Sequence, residues 1–351
     1  MRNLFSFLII FLIFPQYLAA QDQIESGAIS DTIIVNKDFF EDDAPLVFTM
    51  TFDIKHFQRN KYEGKYMPAE LIYSLGDSTE ITKNIRLKAR GNFRRSFCSM
   101  PPFWLNIRKA NVVNKSLQGV VRMKVVTHCN GGKASGDYVL KEFLAYKIFN
   151  ILSPYSFRAS LVKMKYIDTG RKNKLTENWA IIIEPEEMLT ERLDVYSIEN
   201  DKLSMKHMLP EHMDIVAMFN YMIGNGDYSV TGRQNLKLFG LKEFAAEGFI
   251  PVPYDFDYSG VVNAFYAIPG EKLGIESVTE RYYLGACREI ETYQSTIDYF
   301  NSKKDEIMEM INSFPYLDLK KRAEMISYLE AFYEESSYPG YISKNIKSTC
   351  R

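Results

Sequence analysis

The sequence VPYDFDYSG, from Val252 to Gly260, places two aspartates on either side of one phenylalanine in an otherwise apolar, strand-like run. Alternate side chains of a β-strand point to the same side, so Asp255 and Asp257 are predicted to share one face, about 6–7 Å apart. Two carboxylates in apolar surroundings are costly unless a cation or hydrogen-bond donors compensate their charge. This stretch therefore predicts a site for a positively charged group.

A second polar segment precedes this stretch, in YMIGNGDYSVTGRQN from Tyr221 to Asn235. An apolar helical pattern ends at Gly224, which readily takes the left-handed conformation that closes a helix. Asp227 follows in the glycine turn, and a helix cap with a solvated aspartate is the simpler interpretation of this segment alone. Together with Asp255, the order Asp, Asn, Asp favours phosphoryl transfer. In that reaction the first aspartate orients or deprotonates a hydroxyl, and the other two residues hold Mg²⁺ on nucleotide phosphates.

A basic strand face and another glycine turn lie earlier in the chain, in NIRLKARGN from Asn84 to Asn92. Strand alternation separates three apolar side chains from three basic ones, of which Arg90 is the last. Gly91 and Asn92 then turn the chain. Arg90 and the amides of this turn are predicted to contact phosphate, and a solvated basic face is the equal alternative.

A strand lysine and a helix glutamate form a further candidate pair. Lys124 lies in the strand-like VVRMKVVT, and Glu142 lies in a helix predicted from Asp137 to Leu152 with Asp137 as its cap. Kinases use a pair of this kind to hold the α- and β-phosphates of ATP. Unpaired surface charges are the competing interpretation at both positions.

The order of the predicted elements indicates an α+β fold. Strand patterns with one helix fill residues 46–185, and helical patterns dominate residues 186–351. We therefore expect a β-rich N-terminal lobe followed by a helical C-terminal lobe. Residues 21–45 are polar and acidic and are predicted to form a flexible leader, with one candidate strand in DTIIV.

Residues 1–20 have the pattern of a cleavable signal peptide. A basic start is followed by the apolar run LFSFLIIFLIF and by small residues that predict cleavage after Ala20. An uncleaved anchor is the alternative. No later stretch is long and apolar enough to span a bilayer, so we expect export to a periplasm, a cell surface or the medium. The formal net charge of -1 predicts no general attraction to nucleic acid.

Four cysteines follow the predicted signal peptide: Cys98, Cys129, Cys287 and Cys350. An even number in an exported chain favours two disulfides. Three pairings are possible, and we expect Cys98 to pair with Cys129 and Cys287 with Cys350. A zinc site is the rival interpretation because His128 adjoins Cys129, but the chain has no CxxC and no paired histidine spacing.

Several of these motifs resemble the CotH-type, or spore-coat-protein-H-like, family of atypical protein kinases. The motifs that carry the resemblance are RGN (Arg90–Asn92), YVLKEFLAYKI (Tyr138–Ile148), GNGD (Gly224–Asp227), QNLKLF (Gln234–Phe239) and PYDFDYSG (Pro253–Gly260). The resemblance covers roughly residues 46–260. It implies a kinase-like, two-lobed fold that binds ATP with Mg²⁺ or Mn²⁺.

The resemblance also implies roles for individual positions. Asp227 would be the catalytic aspartate, Asn235 and Asp255 would bind the metal, and Asp257 would support either carboxylate. The interval from Asp227 to Asn235 is longer than in the usual kinase loop, and Tyr228 stands where family members often have tryptophan. The implied nucleotide-binding residues are Arg90, Gly91, Asn92, Lys124 and Glu142.

The motifs thus favour an exported phosphotransferase that acts on a hydroxyl of a protein or of another secreted acceptor. A non-catalytic binding protein of the envelope or cell surface on the same fold, a pseudokinase, is the main alternative, because ATP is scarce outside the cytosol. A third hypothesis is hydrolysis of a glycan or phosphate by Asp227 and Asp255 without nucleotide.

Overall fold

The computed structural model describes residues 34–35, 39–40, 44–74, 80–107, 113–114, 120–200, 202–242 and 248–351. The predicted signal peptide and most of the predicted leader lie outside these ranges. Of the candidate strand in DTIIV, the described ranges include Ile34–Val35, which form a strand, and the other three residues lie outside them. No helix within the described ranges combines the length and the apolarity needed to cross a bilayer.

The structure is α+β, as the sequence predicts. In chain order its strands are β1 (Ile34–Val35), β2 (Leu46–Phe52), β3 (Met67–Ser74), β4 (Glu80–Ala89), β5 (Phe103–Asn106), β6 (Val113–Asn114), β7 (Arg122–Val126), β8 (Ala159–Asp168), β9 (Lys174–Ile183), β10 (Val195–Ile198), β11 (Leu236–Leu241) and β12 (Phe249–Pro253). Its helices are α1 (Ile54–Asn60), α2 (Phe93–Phe97), α3 (Lys133–Leu152), α4 (Glu186–Leu193), α5 (Pro210–Met222), α6 (Ile290–Ser302), α7 (Lys304–Ser313) and α8 (Leu319–Ser336), with a π-helical segment at Ile342–Lys347.

Seven strands of the first half close into a barrel in the order β2-β3-β4-β5-β7-β9-β8. The side chains of each wall face either the barrel interior or its outside. In strand β4, residues alternate between buried and exposed, with Leu87 inside the barrel and Arg86 outside. The barrel closes through parallel pairing of β2 with β8, from Leu46 opposite Val162 to Phe52 opposite Asp168. The remaining strands form the pair β1-β6 and the small sheet β10-β11-β12.

The start of helix α3 differs from the prediction. The helix begins at Lys133 rather than at Asp137, because Gly132 takes a φ of 100° and turns the chain into the helix earlier. Asp137 therefore lies inside the helix. Almost every side of α3 is covered, and even the charged Lys141 and Glu142 are buried. The helix packs with α5 to α8 in a second core, separate from the barrel interior.

The C-terminal helices agree with the sequence patterns. The helical segment predicted from about Thr292 to Glu335 is divided among α6, α7 and α8, with breaks at Lys303 and at residues 314–318. Helix α5 ends as expected, with Gly224 in the left-handed conformation at a φ of 67°. This turn leads directly to Asp227.

Replacing Gly224 with alanine should destabilise the fold more than the same change at Gly274. Both glycines have a φ of 67°, which costs an L-residue roughly 1–2 kcal/mol. A methyl group at Gly224 would also overlap the Tyr328 hydroxyl and lie 3.1 Å from the Val278 carbonyl oxygen, whereas Gly274 faces open space. We expect Gly224→Ala to lower the free energy of unfolding by about 1–3 kcal/mol more than Gly274→Ala does, as measured by urea unfolding. Equal losses would show that the packing against Tyr328 is not tight.

The two predicted disulfides are confirmed. Cys98 is bonded to Cys129, and Cys287 to Cys350, with sulfur–sulfur distances of 2.06 and 1.98 Å. The rival zinc interpretation is wrong, because the sulfur atoms that it required are bonded to each other. The first disulfide joins the end of α2 to the loop that precedes α3.

Candidate active site

One pocket of about 660 Å³ gathers most of the residues predicted for the site. Its walls come mainly from three segments that are distant in sequence: the turn after β4 with the start of α2, the loop between α5 and β11, and the loop after β12. The predicted site residues that line it are Arg90, Gly91, Asn92, Asp227, Asn235, Asp255 and Asp257. The pocket therefore brings the RGN turn together with the Asp, Asn, Asp set.

The local conformation around Asp255 differs from the prediction. Strand β12 ends at Pro253, and Asp255 has a φ of 68°, so the two aspartates do not share a strand face. The backbone N–H of Asp255 donates to the Tyr146 hydroxyl at 2.9 Å, and that of Tyr254 donates to the Asn235 carbonyl at 3.0 Å. These contacts hold a backbone shape that non-glycine residues seldom adopt. Both aspartates still line the pocket, although for a different reason than the predicted one.

The Asp227 carboxylate is held by two side-chain amides. The Asn235 amide donates to Oδ2 of Asp227 at 2.9 Å and to its carbonyl oxygen at 2.7 Å, and the Gln234 amide donates to Oδ1. Burial and the nearby Asp255 raise the pKa of Asp227 to about 6, despite these hydrogen bonds. Because the Asn235 nitrogen faces Asp227, its Oδ1 is left without a partner among the described residues. Gln234 was not predicted as a site residue.

Asp257 lies deeper in the pocket wall and is almost fully buried. Its Oδ2 accepts a hydrogen bond from the Tyr266 hydroxyl at 3.0 Å and lies 3.7 Å from Nη1 of Arg94. Burial and the charge of Asp255 raise the pKa of Asp257 to about 7, against the opposing effect of Arg94. The raised pKa therefore disfavours the charged form of this carboxylate.

The predicted ion pair between Lys124 and Glu142 is wrong. Glu142 lies instead 3.8 Å from Nη1 of Arg94, a buried residue of α2 that also donates to the Thr127 carbonyl. Helix α2 points Arg94 into the space between Glu142 and Asp257, so the carboxylates have a closer cation. The only sequence signal for Arg94 was its place in the basic segment that follows the RGN turn.

Lys124 has a different environment. Its ammonium lies 4.4 Å from the centre of the Tyr254 ring, and Tyr254 lines the pocket although Lys124 and Glu142 do not. Burial, together with the nearby positive charge of Arg90, lowers the pKa of Lys124 to about 8. Lys124 thus contacts Tyr254, a residue of the pocket wall, but does not itself line the pocket.

The pocket offers oxygen donors to a divalent cation. Within the described ranges, no three His, Cys, Asp or Glu side chains converge closely enough to form a complete protein site. Mg²⁺ usually needs only one or two carboxylates and completes its shell with water and phosphate oxygens. The Asp255 carboxylate, which has no hydrogen-bonding or ionic partner in the described part of the chain, and Oδ1 of Asn235 fit that requirement.

Replacing Arg94 with methionine should lower the free energy of unfolding by about 3–5 kcal/mol, because two buried carboxylates lose their cation. Without Arg94, the pKa values of Glu142 and Asp257 in the folded state should rise further. The loss should therefore be largest above pH 7 and shrink as acid protonates both groups. Urea unfolding at several pH values measures this effect.

The neighbouring Arg95→Met is the matched control for Arg94, because Arg95 is half-buried on the same helix, lies 5.6 Å from the centre of the Tyr62 ring and has no ion pair in the described part of the chain. Arg95→Met should lower the free energy of unfolding by no more than about 1 kcal/mol. Adding Glu142→Gln and Asp257→Asn to Arg94→Met should restore part of the stability. A loss that is independent of pH and is not rescued would contradict the electrostatic explanation.

Comparison with known proteins gives little support for a family assignment. No family model matches the chain, and no curated protein matches it. One solved structure, the proinflammatory kinase CtkA of Helicobacter pylori, aligns with 80% of this chain and 89% of its own. The identity is 8% and the TM-score is 0.35, which is too distant to carry an argument about fold or function.

Proposed function

We propose that this chain is an exported, kinase-like phosphotransferase that uses ATP and Mg²⁺, or Mn²⁺, to phosphorylate a hydroxyl acceptor. The observation that carries the proposal is the single pocket shared by the RGN turn, Asp227, Asn235 and Asp255. In this proposal the barrel serves as the N-terminal lobe, and residues 186–351 serve as the C-terminal lobe. The acceptor is a protein or another molecule of the envelope or exterior.

The basic wall of the pocket is assigned to the nucleotide phosphates. Arg90 lines the pocket with its guanidinium 5.4 Å from the Trp104 ring, which limits how far this long side chain can move. Gly91 has a φ of 87°, so the turn after Arg90 depends on a residue without a side chain. Backbone N–H groups in such turns, with Asn92 beside them, are suited to phosphate oxygens.

The acidic wall is assigned to the metal and to the hydroxyl nucleophile. Asp255 and Asn235 would hold Mg²⁺, with Asp257 supporting Asp255 from behind. When bound, the ion would neutralise charge on the transferred phosphoryl group. Asp227 would accept the proton of the attacking hydroxyl, and a pKa near 6 suits a base that works near neutral pH.

One observation favours the alternative, a non-catalytic protein that binds a partner or a different ligand. Both carboxylate oxygens of Asp227 already accept hydrogen bonds from the amides of Gln234 and Asn235. A hydroxyl nucleophile would have to share or displace one of them. A pseudokinase would have no such difficulty, because it needs the pocket only for binding.

The two disulfides support the exported part of the proposal. Disulfides persist in oxidising compartments and are rare in the cytosol. Both pairs of cysteines are bonded, and the described residues contain no free cysteine. A periplasm, a cell surface or the medium would suit such a chain.

Titration of the purified, disulfide-bonded chain with ATP tests the proposal. We expect heat release in a calorimeter, and a rise in melting temperature, only when Mg²⁺ or Mn²⁺ is present. A ligand that binds the native state must stabilise it by mass action. No binding under any of these conditions would refute nucleotide use. Metal-dependent binding without transfer to added envelope fractions would favour the pseudokinase.

A further inference from the structure

A second pocket, of about 460 Å³, shares no wall residue with the candidate active site. It lies where β2 and β8 end and β9 begins. Its walls come from the start of α1, the loop between β7 and α3, and the facing parts of β8 and β9. We call it the β8–β9 pocket.

The loop between β7 and α3 supplies backbone donors to this pocket. Gly131 and Gly132 line it, and they lead into α3, whose 20 residues have no side-chain cap at the N-terminus and no acidic residue in the first turn. Space is open where a side chain would stand at either glycine. A strand, a glycine turn and a helix in this order present free N–H groups and a positive dipole end to anions.

A buried hydroxyl in the same pocket independently indicates a ligand. Tyr166, on β8, is 1% exposed and lines the pocket, but its hydroxyl has no hydrogen-bond partner in the described part of the chain. Nδ1 of His128 is also unpartnered there, and the two rings lie 5.6 Å apart. A buried polar group without a hydrogen bond costs free energy. An acceptor that enters the pocket and bonds to these groups would remove that cost.

The charges around the pocket favour an anion. Lys55 and Lys174 line it, and neither has an ionic partner among the described residues. Both acidic side chains of the pocket already have a cationic partner, because Glu177 pairs with Lys163 at 2.9 Å and Asp168 lies 3.9 Å from Arg171. The pocket therefore carries uncompensated positive charge.

We propose that the β8–β9 pocket binds a small phosphorylated molecule. The phosphate would take N–H groups of the Gly131–Gly132 turn, the ammonium groups of Lys55 and Lys174, and the hydroxyl hydrogen of Tyr166. A phosphate dianion matches two lysines and offers enough oxygens for all of these donors. The volume exceeds what the phosphate fills, so the rest of the molecule also lies in the pocket.

The test uses inorganic phosphate as the probe and the full disulfide-bonded chain as the receptor. Melting temperature is followed against phosphate concentration at constant ionic strength, with sulfate and succinate as comparison anions. We expect phosphate to stabilise the wild type and Lys55→Met/Lys174→Met to lose that effect. Arg90→Met, which alters the other pocket, and Lys242→Met, which removes a lysine that pairs with Asp194, should keep it.

Tyr166→Phe most clearly separates an effect on phosphate binding from an effect on the stability of the fold. Because the hydroxyl has no hydrogen-bond partner within the described ranges, its removal should leave the melting temperature of the ligand-free chain unchanged or slightly higher. Phosphate affinity should nevertheless fall about tenfold, since a hydrogen bond to a charged group is lost. Four results would overturn the proposal: no stabilisation of the wild type, equal stabilisation of the lysine variant, stronger stabilisation by succinate than by phosphate, or loss of the effect in Arg90→Met alone.

Discussion

Asp255→Ala should abolish metal-dependent nucleotide binding while leaving the chain folded. Asp255 is the pocket carboxylate without a hydrogen-bonding or ionic partner in the described ranges, so its removal breaks no internal contact of the side chain. Loss of a group that only orients a metal ligand commonly costs 10–100-fold in metal affinity, and loss of a ligand itself should cost at least about 100-fold. Calorimetric titration of ATP with and without Mg²⁺ measures the change.

Asp298→Ala is the matched control for Asp255, because it removes one exposed aspartate from α6. It should bind nucleotide like the wild type. The affinity of the wild type should also rise between about pH 5 and pH 8, because deprotonation of Asp257 and Asp227, whose pKa values are raised to about 7 and 6, adds negative charge next to the metal site. Unaltered Mg²⁺-dependent nucleotide binding in Asp255→Ala would show that Asp255 is not a ligand of the metal.

Asp227→Asn should slow phosphoryl transfer by roughly 10²–10⁴-fold with little effect on nucleotide binding, because a general base contributes about that much. The wild-type rate should rise with pH through a midpoint near 6, since only the deprotonated carboxylate accepts a proton. The residual rate of the variant should lack that rise. Single-turnover transfer from ATP to an acceptor, measured from pH 5 to pH 8, tests both statements.

Three outcomes distinguish the explanations for Asp227. If the variant keeps the wild-type rate, Asp227 is not the base. If it loses nucleotide binding as well, the residue holds the pocket together through Gln234 and Asn235 rather than acting on the acceptor. Retained binding with a lost rate and a lost pH dependence would support the proposed role.

The grouping of the site could be predicted because it rests on local patterns. A helix that ends at Gly224 must present the residues that follow it in a turn, and Asp227 lies in that turn. Closely spaced aspartates in an apolar run, as at Asp255 and Asp257, rarely lack a compensating group. Both disulfides were also predictable, since an even number of cysteines leaves few pairings. These inferences need no knowledge of distant contacts.

The remaining features depend on tertiary contacts that local patterns do not encode. Asp255 takes a left-handed backbone that the Tyr146 hydroxyl stabilises, and Tyr146 is far away in sequence. Glu142 pairs with Arg94 rather than Lys124, because the position of α2 decides which cation is nearer. Closure of the barrel requires β2 to meet β8 in parallel, a pairing between segments separated by most of the first half of the chain.

The bond between Cys98 and Cys129 joins the two pockets mechanically. Cys98 directly follows α2, which carries Arg94, and Cys129 lies just before the Gly131–Gly132 turn. Cross-linking a loop of this length is worth roughly 3–4 kcal/mol. A newly made chain that still held both thiols would have neither segment anchored to the other. Formation of this disulfide would then fix one wall of each pocket in a single step.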